Sequence, residues 1–174
     1  ANVSGQVRTL RNHDLAVVLV VDEPALAACG GDPLRAWDPF RGIGATWGLH
    51  VCCAVPWDVV DRAEPDLLSF DLALAAPARR ATLSLRRQIS RGGRVAWGVL
   101  APHREERVTG AATRIPTALA AVGIERDEVA AARLLTPACG SGRVSPIREQ
   151  QLADDLDLLA TCLRIGAPLA EANS

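Results

Sequence analysis

Five short apolar segments recur along the chain, and the stretches between them carry helical periodicity or helix caps. That alternation constrains the fold more than any other feature. Residues 15–21 (LAVVLVV) form a continuous Val-rich run, which reads as a buried parallel strand. Residues 45–52 (ATWGLHVC), 67–72 (LLSFDL) and 94–100 (RVAWGVL) read as three more strands. A fifth opens at Leu134 and ends at Cys139-Gly140. Between them, Pro56 opens a helix, and residues 77–91 form an amphipathic helix stopped by Gly92-Gly93. Helices are also expected over 113–123 and 125–133. A long one runs from Ser145, its N-cap, to about Leu169, with Pro146 in the first position. Residues 1–14 read as a polar loop or a helix remnant. Strands alternating with helices imply an α/β fold, a parallel sheet with helices packed outside it. The length of 174 residues suits one domain, and no linker divides it.

Polar residues cluster where these strands end. Asp22 and Glu23 follow the first, His50 and Cys52 end the second, Asp71 ends the third, His103 follows the fourth and Cys139 the fifth. In barrels and open parallel sheets that edge holds the chemistry. His50 and Cys52 are two residues apart, so on a strand both point to the same side and can reach one metal ion. Imidazole plus thiolate is a zinc donor set, and Cys139 would add a ligand from another strand end. Asp71 reads either as a fourth, oxygen donor or as a helix cap. His103 reads either as a chemical group or as a solvated loop histidine. Cys53 points away from Cys52 and reads as packing, as do Cys29 and Cys162. His13 reads as surface, and Trp47, Trp57 and Trp97 as core. Trp37 stands as a partner or substrate contact.

Composition excludes some classes. The net charge of -1 comes without a basic stripe interleaved with aromatics, which argues against nucleic acid as a partner. The longest strongly apolar run, 15–21, is too short to cross a bilayer, and no signal peptide is recognisable. Five cysteines, an odd number with two adjacent, fit free or metal-bound thiols in a reducing cytoplasm.

These residues carry a family resemblance. Asp22-Glu23-Pro24-Ala25-Leu26, His50-Val51-Cys52, the segment 66–71 (DLLSFD), Gly98-Val99 with His103, and Thr136-Pro137-Ala138-Cys139-Gly140 occur in that order. The series resembles the catalytic domain of cobalamin-independent methionine synthases. The resemblance implies the last five strands of a (β/α)8 TIM barrel, so that the chain would be a single zinc-binding partial barrel. It implies His50, Cys52 and Cys139 as zinc ligands, with Asp71 as the fourth in place of the family's Glu. Asp22 would bind the amino group of a homocysteine-like substrate, and His103 would be the proton donor. Ala28 stands where the family has a Glu that contacts the folate donor. The methyl donor is therefore left open between methyltetrahydrofolate and a methylcorrinoid.

The expected function is that of a zinc-dependent methyltransferase, or a subunit of one, in methionine biosynthesis. Zinc coordination would favour the thiolate of a substrate whose free thiol ionises only near pH 8.5, roughly. Five strands leave two open edges, so a second chain or a homo-oligomer is expected to complete the barrel. Two alternatives stand beside this: a non-catalytic zinc-binding or regulatory half-barrel module, and a zinc enzyme of another reaction class.

Overall fold

The computed structural model describes residues 2–26, 28, 32–72, 79–103, 108, 110, 111, 117 and 133–165. Its centre is a five-stranded sheet in the order β1-β2-β3-β4-β5. The strands are β1 (Val18–Glu23), β2 (Thr46–Val51), β3 (Leu67–Asp71), β4 (Arg94–Leu100) and β5 (Arg133–Pro137). Every neighbouring pair is parallel. The fold is therefore α/β with an all-parallel sheet, consistent with half of a β/α barrel.

The helices bounded among the described residues are α1 (Val3–Arg11), α2 (Pro33–Trp37), α3 (Trp57–Ala63), α4 (Arg79–Ser90) and α5 (Pro146–Ile165). One face of the sheet carries Trp47, Leu49, Val51, Leu68, Phe70 and Trp97, all buried. Phe70 sits between Trp57 of α3 and Trp97 of β4, with edge contacts of 5.6 and 5.4 Å. Trp57, Val60 and Ala63 of α3 and Ala81 and Leu85 of α4 complete that layer. Gln88 of α4 ties it to the strands by donating to the Pro65 and Arg94 carbonyls.

The first apolar run folds differently from its sequence reading. The strand starts at Val18 and continues through Glu23, so Asp22 and Glu23 lie within β1. It is also an edge strand, not a buried one: Val18 and Val20 are 52% and 43% exposed. Val21 packs against the core of the helical layer, whereas nothing in the described residues covers the other face of β1 to the same extent. A continuous apolar run cannot show which of its two faces is covered.

The N-terminal segment is helical. Asn2 caps α1 by accepting from the Gly5 amide at 2.8 Å. A second short helix, α2, begins at an Asp32 cap followed by Pro33. It delivers Trp37 into the core at 1% exposure, where its Nε1 donates to Glu23 Oε1 at 2.9 Å. Trp37 is thus a core residue and no contact for substrate or partner. Ser145 caps α5 by accepting from the Arg148 amide at 3.2 Å. The helices expected over 113–123 and 125–133 lie outside the described residues, apart from single positions. No helix among the described residues is long and apolar enough to cross a membrane.

Candidate metal centre

The site forms on the face of the sheet opposite the helical layer. In a parallel sheet, residues in lateral register point to the same side. Asp22 pairs with His50, His50 with Ser69, and Ser69 with Ala96. This row brings a carboxylate, an imidazole and a hydroxyl side by side. Cys52 follows β2, two residues beyond His50.

Cys139 comes from the far edge of the sheet, after β5. It reaches β2 because the chain crosses the β3–β4 seam as it leaves β5. The Ala138 amide donates to the Leu100 carbonyl at 2.8 Å, beside a register shift between Gly98 and Leu100. Gly98 makes room for the crossing. A Cβ there would lie 2.7 Å from both Ala138 Cα and the Phe70 carbonyl oxygen. No side chain fits between such backbone atoms.

His50, Cys52 and Cys139 offer donor atoms that all lie within 4.8 Å of one another. The two sulfurs are 3.7 Å apart. Two thiolates each about 2.3 Å from a tetrahedral zinc would be about 3.8 Å apart. The spacing and the donor types therefore fit one metal ion. His50 and Cys52 are partly shielded, and Cys139 is exposed.

Asp22 flanks this group. Cys52 Sγ donates to Asp22 Oδ1 at 3.3 Å, and His50 Nε2 lies 4.0 Å from the same oxygen. Burial, then the hydrogen bonds to Asp22 and Cys139, push the Cys52 thiol from its ordinary 9.0 up to about 12. Asp71 lies on the same face as Ser69, two residues further along β3, but outside the convergent group. His103 lies in the turn after β4, exposed. Cys53 packs against the core and Cys162 is 4% exposed, as expected of packing cysteines, while Cys29 lies outside the described residues.

Ser69 escaped the sequence reading as a site residue. Its Oγ lies 2.8 Å from His50 Nδ1. The only signal for it was a serine two residues before Asp71 in a strand otherwise apolar.

No protein-family model matches the chain, and no curated protein sequence matches it significantly.

Proposed function

We propose that the chain is a zinc-dependent thiol methyltransferase of the kind the cobalamin-independent methionine synthases represent, or one subunit of such an enzyme. The observation that carries the reading is the convergence of His50, Cys52 and Cys139 at a sulfur–sulfur distance of 3.7 Å. Zinc bound by this donor set supplies a Lewis acid that favours the thiolate form of a thiol such as homocysteine.

The remaining roles belong to side chains around it. Asp22 carries a carboxylate whose side chain is 68% exposed, and it can hold an ammonium group of an amino-acid thiol. His103, on the turn after β4, is our candidate for the proton donor to the departing methyl carrier, either a folate or a corrinoid. Asp71 stands as a candidate oxygen donor on the same face. Cys52 and Cys139 must stay reduced to bind metal, which favours a cytoplasmic setting.

The same face supports a completing partner. Val18 and Val20 on β1 and Leu134 on β5 are exposed at the two edges of the sheet. A second chain or a second copy would cover them and close the barrel around the metal.

The test is methyl transfer to homocysteine by the zinc-loaded chain, with methyltetrahydrofolate and methylcobalamin as donors. It is run alone and with co-purifying chains. Methionine formation that is lost in Cys139→Ala supports the enzyme. A zinc-loaded chain inactive with both donors in every combination favours the non-catalytic zinc module instead.

A further inference from the structure

We infer that Ser69 is a positioning residue: it holds the His50 ring by Nδ1 so that Nε2 is the atom presented to the metal. The inference rests on the metal reading of the His50, Cys52 and Cys139 group, and it goes beyond that reading by assigning one ring nitrogen and the residue that selects it.

Three observations converge on it. Ser69 is one of the few buried polar residues among the described residues, at 8% exposure. It sits directly opposite His50 in the β2–β3 register, so both side chains leave the sheet on the same side. Its Oγ lies 2.8 Å from Nδ1, whereas Nε2 lies 4.0 Å from Asp22 Oδ1, beyond hydrogen-bond reach. One nitrogen of the ring is therefore held by Ser69, and the other lies near Asp22 Oδ1, the oxygen to which Cys52 Sγ also donates.

The chemistry follows from the tautomer. A neutral imidazole carries one N–H and one lone pair. With Nδ1–H donating to Ser69 Oγ, the lone pair lies on Nε2. A hydrogen bond on the second nitrogen of a ligating histidine fixes the ring and raises its basicity, and loss of such a partner typically costs about 10- to 100-fold in metal affinity. A serine that merely filled space between β2 and β3 would have no such effect on affinity or tautomer.

The experiment uses zinc itself, competed against a chromophoric chelator, with wild type, Ser69→Ala and Ser69→Thr. Nitrogen-15 NMR of the His50 ring in the metal-free chain gives the tautomer independently. The expected result is zinc affinity weakened about 10- to 100-fold in Ser69→Ala and restored by Ser69→Thr, which keeps the hydroxyl. The wild-type ring is expected as the Nδ1–H tautomer, with Nε2–H gaining in Ser69→Ala. An Nε2–H ring in the wild type overturns the assignment, whatever the variants do. So does a Ser69→Ala chain with unchanged affinity and tautomer. If the wild type binds no zinc, the metal reading falls, and the wild-type ring tautomer still decides the role of Ser69.

Discussion

The two faces of this sheet are built from alternate residues of the same strands, yet they differ in almost every respect. On β2, Leu49 and Val51 are fully buried against the helices, while His50 between them faces the donor group. On β3, Leu68 and Phe70 are fully buried, and Ser69 between them bonds to His50. One face is closed and aromatic. The other is polar in the middle, with exposed apolar residues at its edges. The buried side chains that stabilise the fold lie mainly on the first face, and the convergent group of His50, Cys52 and Cys139 lies on the second. Substitutions that alternate along a single strand should therefore separate the two properties.

Phe70→Ala strikes the closed face hardest. It removes the ring held between Trp57 and Trp97. A loss of about 3–5 kcal/mol is expected from urea unfolding of the metal-free chain. A loss below about 1 kcal/mol would mean that the two faces share stability more evenly than their burial implies.

Gly98→Ala attacks the passage that carries Cys139 onto the open face. Its new Cβ would meet backbone atoms of Ala138 and Phe70 at 2.7 Å. A stability loss of about 1–3 kcal/mol is expected, because packed backbone cannot move cheaply. Zinc affinity should fall with it, because Cys139 follows the displaced Ala138. Unchanged zinc binding in a destabilised Gly98→Ala chain would show that Cys139 reaches the site by another route.

A further prediction concerns pH. Cys52 keeps its proton to about pH 12 in the metal-free chain, chiefly through burial and its contact with Asp22. Zinc must displace that proton, so binding releases it and tightens as pH rises. The apparent affinity should rise about tenfold per pH unit for each proton displaced, measured from pH 6 to 8, roughly. A slope that is the same in Cys52→Ala as in the wild type would remove Cys52 from the ligand set. Closed-face variants such as Phe70→Ala should leave the slope as it is.

The closed face was legible in the sequence wherever a pattern was local. Trp47, Trp57 and Trp97 read as core because they sit in or beside apolar strands. The parallel sheet followed from alternation, and the Ser145 cap from its Pro146 neighbour. The residues that converge on the open face were legible too, since the i, i+2 spacing of His50 and Cys52 and the strand-end position of Cys139 are local features.

What the sequence did not reveal depends on partners distant along the chain. Ser69 acquires its role only from the β2–β3 register. Gly98 matters only because the exit from β5 crosses above it. The run 15–21 read as a buried strand because apolarity on both sides looks the same whether one face or two are covered. Trp37 read as a partner or substrate contact because its Glu23 partner lies on another element. The helix that carries it was signalled by Asp32-Pro33, a cap followed by proline, and that signal was available.

The central claim is that the open face binds a metal through His50, Cys52 and Cys139. The most direct test is a zinc titration of the wild type and Cys139→Ala at pH 7, competed against a chromophoric chelator. One zinc per chain is expected for the wild type, with retention abolished in Cys139→Ala while its metal-free unfolding midpoint stays close to the wild type. A wild type that takes up no zinc, or a Cys139→Ala chain that binds it equally well, would contradict the account.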